Sequence, residues 1–314
     1  KGERIIFVGG ANRSGTTLMQ NILDSHPEIC GGPEFRHVPD IIEVRNKLHE
    51  SIGLKRMEVF CSCDEVDAYI KTLIGSLLLP LLEKSQCKYL SEKTPANILV
   101  FTELKSLFPA SRFIRVVREP RAVMASEVEM RKKRKANNLP CVYDGSLAAF
   151  RKVLHKVKKY YISGAASTQL SPERELLVKY EDLVSDVEGV SKRICHFLEI
   201  PWFKEMLSPS TVEHLGEGPM TRTGAHYTKD SFRRDPDTRS LGKWKHQLTM
   251  LQKAVIAAEF SDCHELSQLG YDLREDGIVQ KVLTSFISNT RNLAKRTVTR
   301  KVGGKLVLKS MYSK

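Results

Sequence analysis

The chain has 314 residues, of which 41% are hydrophobic, and a formal net charge of +13. This composition is ordinary for a packed globular core and predicts one enzyme-sized domain. Seven cysteines, odd in number and unevenly spaced, exclude a disulfide scaffold, and no apolar run reaches the roughly 20 residues that span a bilayer.

A strand, a glycine-rich loop and a helix open the chain. Residues 4–9 are apolar and rich in β-branched side chains, which is typical of a buried strand. Residues 16–25 place Leu18, Met19, Ile22 and Leu23 at helical spacing. This order is the first unit of a parallel α/β sheet.

The same alternation continues through the chain. Apolar periodicity predicts helices at residues 64–82, 97–108, 121–131, 147–162 and 187–198, and strands at 88–90, 112–117 and 175–180. We therefore expect an α/β fold with a central parallel sheet and helices on both faces, over residues 1–275. Residues 215–238 lack periodicity and predict a long functional loop.

The C-terminal residues 276–314 are predicted to form a basic helical tail. Residues 278–314 hold nine Lys and Arg and no Asp or Glu. Without this stretch the formal charge of +13 falls to +4. A basic tail of this kind favours loose contact with acidic surfaces over a specific nucleic-acid site.

The pattern Gly10-x4-Gly15-Thr16-Thr17 has the spacing of a P-loop, between a predicted strand and a predicted helix. The amides of such a loop converge on a phosphate. Nucleoside triphosphatases carry a lysine where this chain has Thr16, so the pattern argues against triphosphate hydrolysis. Arg13 supplies positive charge from inside the loop instead.

Residues 6–19, IFVGGANRSGTTLM, followed by Leu23-Asp24 and His26-Pro27-Glu28, resemble the phosphosulfate-dependent sulfotransferases, and most closely the tyrosylprotein sulfotransferase group. The resemblance implies the sulfotransferase fold, 3′-phosphoadenosine 5′-phosphosulfate as donor, and no requirement for a metal. It also implies that the 5′-phosphosulfate is held by Arg13, Ser14, Gly15, Thr16 and Thr17.

Two further blocks extend the resemblance. Residues 113–126, FIRVVREPRAVMAS, are similar to the segment that holds the 3′-phosphate in the family, which implies this role for Arg118 and Ser126. Tyr180, in the sequence Tyr-Glu-Asp-Leu, is a further implied contact of the nucleotide. From the residues alone, Arg118 could equally form a surface salt bridge. In that case Arg233, Arg234 and Arg239 are the substitute candidates.

The catalytic residues are implied by the same resemblance. Glu34, in Gly-Gly-Pro-Glu-Phe-Arg, corresponds to the general base, and Lys93, in Ser-Glu-Lys-Thr-Pro, to the lysine that contacts the leaving oxygen. Arg13 would share the developing charge. The alternatives are that Glu34 caps the helix predicted from residue 38 to 48, and that Lys93 is an ordinary exposed lysine.

The expected acceptor is the hydroxyl of a protein tyrosine, with a carbohydrate or small-molecule hydroxyl as the alternative. Arg36 matches a basic acceptor-binding position of the tyrosylprotein group, but Asp40 stands where that group has another basic residue. The resemblance implies an acceptor protein, peptide or glycan and the Golgi lumen. It leaves open a cytoplasmic location, a membrane anchor upstream of residue 1 and a homodimer.

Two other classes of protein share parts of this pattern. A P-loop nucleotide kinase would have the glycine loop, but Thr16 argues against it. A nucleic-acid-binding protein would use the basic tail. Only 7% of the residues are aromatic, however, and none alternates with basic residues around the tail, so we expect no specific nucleic-acid partner.

Overall fold

The computed structural model describes residues 4–141, 143–222 and 232–273. The chain divides into two compact units, Lys1–Gln247 and Leu248–Lys314. The larger unit contains the sheet and every residue predicted for the site. The predicted boundary between residues 275 and 276, and the predicted tail helix, lie outside the described residues.

Five parallel strands form one sheet, in the order β2-β3-β1-β4-β5. They are β1 (Ile5–Gly10), β2 (Ile29–Gly31), β3 (Tyr89–Lys93), β4 (Arg112–Val117) and β5 (Glu175–Lys179). β1 is central, with Ile5 opposite Leu90 of β3 and Ile6 opposite Arg112 of β4. The predicted parallel α/β sheet is confirmed. Its carboxyl edge places the ends of β1, β3 and β4 side by side, where ligands of such sheets bind.

Helices connect the strands. In the larger unit they are α1 (Thr16–Asp24), α2 (Val38–Gly53), α3 (Cys63–Ser85), α4 (Phe101–Leu107), α5 (Pro120–Ala136), α6 (Leu147–Leu170), α7 (Tyr180–Ser185), α8 (Val187–Leu198), α9 (Glu217–Arg222) and α10 (Trp244–Gln247). The smaller unit contains α11 (Met250–Glu259) and α12 (His264–Gln268). Within the part of the chain that the structure describes, no helix is long and apolar enough to cross a membrane.

The core lies on both faces of β1, because successive side chains of a strand point to opposite faces. Ile6 and Val8 are fully buried in an apolar cluster with residues of α1 and α8. Phe7 points the other way, and its ring centroid lies 5.5 Å from those of Phe108 and Phe113. Packing on both faces holds the central strand rigidly beneath the loop that follows it.

Several local predictions were wrong in detail. Tyr180 begins α7 and does not extend the preceding strand. The helix predicted at 97–108 starts as a 3₁₀ turn, Pro95–Val100, and continues as α4. β2 was not predicted, because three residues are too few to show a strand period. The long loop predicted at residues 215–238 contains α9 in its described part.

Candidate active site

The loop of residues 10–17, here called the glycine loop, joins β1 to α1. Ser14 N–H donates to the carbonyl of Ala11 at 3.0 Å. Arg13 and Gly15 have φ angles of 68° and 101°, in the left-handed region. Consecutive amides in such turns form a concave anion site, and the amino end of α1 adds a partial positive charge. The glycine loop thus lies between a strand and a helix, as the sequence predicted, and its binding of a phosphate stays a prediction.

Tyr180 packs directly against this loop. A Cβ on Gly15 would lie 2.3 Å from Cδ2 of the Tyr180 ring, so only glycine fits at this position. The Tyr180 hydroxyl and Ser240 Oγ share a hydrogen bond of 2.7 Å. Ser240 thus joins the site from a distant segment, and no signal in its local sequence indicated this.

Arg118, which follows β4, is 8% exposed, so a surface salt bridge, the alternative that the sequence left open, is excluded. Its guanidinium lies 4.1 Å from the centroid of the Tyr180 ring. Nη1 donates to the carbonyl of Arg13 at 3.0 Å, and Tyr161 donates its hydroxyl to the carbonyl of Arg118 at 2.6 Å. Burial lowers the pKa of Arg118 from its usual value. A guanidinium remains charged even so, and the site holds a fixed positive charge.

Arg13 links the glycine loop to α5, because its Nε donates to Ser126 Oγ at 3.1 Å. The structure thus brings Arg13, Arg118, Ser126 and Tyr180 together, and we call them the Arg118 cluster. Its members come from three separate parts of the sequence, the glycine loop, residues 118–126 and Tyr180. The contact with Ser126 places Arg13 in this cluster, and its expected share in charge stabilisation stays a prediction.

Two buried polar atoms at this place have no hydrogen-bond partner among the described residues: Ser14 Oγ and Arg118 Nε. Buried polar groups in native proteins are nearly always paired, so two unpaired donors beside the glycine loop suit a ligand rich in acceptor oxygens. The residues present therefore fit a phosphate-bearing nucleotide.

A second group of residues lies at the end of β3. Lys93 Nζ is 2.6 Å from Glu34 Oε1, and the two side chains are only 2% and 6% exposed. Lys93 Nζ also donates to Thr17 Oγ1 at 3.5 Å, which connects this pair to the glycine loop. Both alternatives raised by the sequence are excluded. Lys93 is buried, and Glu34 does not cap α2, whose N-cap residue is His37.

Burying the charge of Lys93 costs free energy, which nearby carboxylates partly compensate. Burial lowers the pKa of Lys93, while Glu34, then Glu92 and Asp24, raise it. Arg36 Nε donates to Glu34 Oε2 at 3.0 Å, so the carboxylate faces two cations. An ammonium donor and a carboxylate base in contact can serve proton transfer and charge stabilisation in one reaction.

The sequence did not point to Tyr160 and Glu92, which also lie at this site. Tyr160 lines a small cavity with Gly10 and Ala11 of the glycine loop. Burial raises the pKa of Tyr160, and the charges of Glu127 and Glu34 add to the effect. Glu92 precedes Lys93 in β3. A run of polar residues at the carboxyl end of a buried parallel strand is a usable signal, because such ends line the binding crevice.

The substitute arginines of the late segment are paired within that segment. Arg233 Nε contacts Glu217 Oε1 at 3.0 Å, and Arg234 and Arg239 both contact Asp237. The Arg239 hydrogen bond is the main cause that holds the pKa of Asp237 well below its usual value. No group of metal-ligating residues was found among the described residues, and the expected independence from metals stays a prediction.

The family model described as Sulfotransferase family matches residues 5–204. The chain belongs to the Sulfotransferase family. The matched span covers the glycine loop, Glu34, Lys93 and the Arg118 cluster, so both groups of site residues lie within it. The match of the family model thus confirms the resemblance that the sequence indicated.

Individual relatives agree with the family model. Protein-tyrosine sulfotransferase 1 of Danio rerio is 29% identical over 277 residues, which are 85% of this chain and 72% of that protein. The human protein-tyrosine sulfotransferase 1 is 28% identical over 275 residues, 85% of this chain and 70% of that protein. The solved sulfotransferase domain from the curacin biosynthetic pathway has a TM-score of 0.58 at 25% identity, and the match covers 82% of this chain and 97% of that domain.

Proposed function

We propose that this sulfotransferase moves the sulfuryl group of 3′-phosphoadenosine 5′-phosphosulfate to the hydroxyl of a protein tyrosine. The contact of 2.6 Å between Lys93 and Glu34, buried beside Thr17 of the glycine loop, is the observation that carries this proposal. The names of the relatives that match over 85% of the chain support the choice of acceptor.

The donor, when bound, supplies a sulfuryl group on a phosphate leaving group. The amides and hydroxyls of the glycine loop would hold the 5′-phosphosulfate, through residues Arg13, Ser14, Gly15, Thr16 and Thr17. The rest of the Arg118 cluster would hold the 3′-phosphate and the nucleoside, through Arg118, Ser126 and Tyr180. The unpaired Ser14 Oγ and Arg118 Nε support this assignment.

Glu34 and Lys93 divide the work of transfer. Glu34 accepts the proton of the acceptor hydroxyl, a role that contributes about 10²–10⁴-fold in typical enzymes. Lys93 donates a hydrogen bond to the oxygen that bridges sulfur and phosphorus. Negative charge grows on this oxygen as its bond to sulfur breaks. A placed donor of this kind contributes about 10²–10³-fold. Because these ranges overlap, loss of either residue should be comparably severe.

Arg36 is the residue best placed to meet an acceptor. Its side chain is 51% exposed and lies against Glu34. An exposed guanidinium next to the base favours acceptors with a nearby negative charge, as in acidic peptides. Asp40 opposes this preference. Asp40, in the first turn of α2, contacts His37 at 3.1 Å, so the surface near Arg36 carries both signs of charge.

A transfer assay with labelled donor tests the proposal. We expect label on tyrosine peptides, with less on glycans and on simple phenols. Glu34→Gln should lower kcat by about 10²-fold or more and leave donor affinity intact. Exclusive labelling of a glycan or a small alcohol would overturn the tyrosine acceptor. Full activity of Glu34→Gln would remove this residue from the mechanism.

Calorimetry tests the donor site separately. Adenosine 3′,5′-bisphosphate should bind, and Arg118→Ala should weaken it about 10- to 100-fold, because a charge-assisted hydrogen bond is lost. Arg112→Ala, which removes an arginine from the opposite end of β4, is the matched control and should bind normally. Tighter binding of ATP with Mg²⁺ would favour a nucleotide kinase.

A further inference from the structure

Glu92 is a buried carboxylate that the proposed mechanism does not use. It is 4% exposed and lies in β3, opposite Phe7 of the central strand. Burial raises the pKa of Glu92. Burying a carboxylate raises the free energy of the folded state unless hydrogen-bond donors surround it. The donors that Glu92 meets therefore indicate its role.

Two side chains donate to this carboxylate. Thr94 Oγ1 donates to Glu92 Oε1 at 2.7 Å, and Asn97 Nδ2 donates to Glu92 Oε2. Both donors come from the segment just after β3. The backbone amide of Phe35, the residue that follows Glu34, partly offsets the effect of burial on the pKa of Glu92. Glu92 thus fixes the Thr94 side chain next to the loop that carries Glu34.

The Thr94 hydroxyl makes a second connection to the same loop. While it donates to Glu92, it accepts the backbone N–H of Arg36 at 3.2 Å. The loop that carries Glu34 is thus held through the amide of Arg36 from the end of β3. Arg36 has a φ angle of 64°, a left-handed conformation that a side-chain-bearing residue keeps only when its surroundings impose it.

We propose that Glu92 and Thr94 are positioning residues. They fix the loop that carries Glu34, so that the Glu34 carboxylate stays in contact with Lys93 and can accept the proton of the acceptor hydroxyl. This inference rests on the proposed function, in which Glu34 is the base. The end of β3 and the residue after it then have two roles. Lys93 supplies the cation, and the residues on either side of it anchor the backbone next to the base.

Glu34 is held in place at two points. The side chain of Glu34 is held by Lys93 at 2.6 Å, and the backbone of its loop is held two residues later by the hydrogen bond from Arg36 N–H to Thr94. Misplacement of a catalytic group by about 1 Å can cost about 10²-fold in rate without loss of ground-state binding. Loss of the backbone anchor should therefore lower kcat while donor affinity stays constant.

Three variants test this. Glu92→Gln replaces one acceptor oxygen with an amide donor, and Thr94→Val removes the shared hydroxyl. Thr94→Ser keeps the hydroxyl and is the conservative rescue. Glu175→Gln is the control for loss of a buried carboxylate elsewhere, because Glu175 also receives donors, including Lys105 Nζ at 2.8 Å, away from the site.

Amide hydrogen exchange of the wild type and each variant is the readout independent of activity. We expect exchange at the Arg36 amide to speed up about tenfold in Thr94→Val, which loses the acceptor of this amide, and in Glu92→Gln, which alters the partner that orients the Thr94 hydroxyl. In both variants kcat should fall about 10- to 100-fold, with unchanged affinity for adenosine 3′,5′-bisphosphate. Thr94→Ser and Glu175→Gln should show neither effect.

Unchanged exchange in both variants would overturn the anchor, and faster exchange with full kcat would overturn its role in catalysis. An equal loss of kcat in Glu175→Gln would assign the effect to general destabilisation. A wild type that transfers no sulfuryl group to any hydroxyl would overturn the proposed function instead, and the exchange rates would still decide whether Glu92 and Thr94 hold the loop.

Discussion

Lys93 shows how much of this site depends on the environment of single residues. Its sequence context marks it only as a polar residue at a strand end. In the structure its side chain is 2% exposed and contacts Glu34. Burial lowers its pKa below the usual 10.5, and the nearby carboxylates only partly offset this. The ammonium therefore loses its proton at a lower pH than a free lysine does.

This predicts an alkaline limb in the pH dependence of kcat/KM. Activity should fall as the pH rises through the lowered pKa of Lys93, at a pH below 10.5, because the neutral amine no longer stabilises the leaving oxygen. In Lys93→Arg the residual activity should lack this limb, since a guanidinium stays charged. Rates measured from neutral to strongly alkaline pH test it. The same limb in both proteins would contradict the assignment.

At the scale of elements, the end of α1 is joined to the segment before α9. Asp24, the last residue of α1, has its Oδ2 3.5 Å from Nδ1 of His214. Burial raises the pKa of Asp24. Burial alone would lower the pKa of His214, but Asp24 and the carbonyl of Pro209 raise it overall. The buried pair thus retains a proton over a wide pH range.

His214→Gln tests this connection between elements. The pKa of His214 is raised by folding, so its contribution to the free energy of unfolding is complete below about pH 6.5 and is lost as the pH rises through the folded value. We expect a destabilisation of about 1–2 kcal/mol near pH 6 that shrinks near pH 9. Denaturant unfolding at both values measures it.

His49→Gln is the control for this comparison, because His49 also contacts a carboxylate, Asp67, but is partly exposed. It should show a smaller loss at low pH, since exposed ion pairs contribute little. A destabilisation in His214→Gln that grew with pH would mean that folding lowers the pKa of His214 instead of raising it.

At the scale of the whole molecule, positive charge is unevenly distributed along the chain. Nine positive and no negative residues lie in residues 278–314, outside the described part. The family model ends at residue 204, and both groups of site residues lie within its span. Most of the excess positive charge thus lies outside the span that holds the site residues. The Golgi location and the domain boundary at residue 275 stay predictions.

Deletion of residues 278–314 tests this separation. The formal charge falls from +13 to +4. Binding to heparin, a polyanion, should weaken and elute at lower salt, because fewer counterions are released. Affinity for adenosine 3′,5′-bisphosphate should change less than about threefold, since the residues assigned to the donor all precede the deletion. A large loss of that affinity would place the tail at the donor site.

The local sequence was enough to predict the glycine loop, the alternation of strands and helices, and the lack of a triphosphatase lysine. These features depend on neighbours in the chain, because loop conformation, helical spacing and the identity of Thr16 are local. Family resemblance added Glu34, Lys93, Arg118 and Ser126 as candidates. It did not indicate how they meet.

The contacts among these residues form only in the folded chain. Glu34 meets Lys93 and Arg36 meets Thr94 because the sheet order places β2, which precedes them, beside β3. Tyr180, which follows β5, meets Ser240 of a later segment. No local pattern encodes such pairs, which lie about 60 residues apart in the chain. The glycine loop needed only its own residues, whereas the buried base and cation needed the whole sheet.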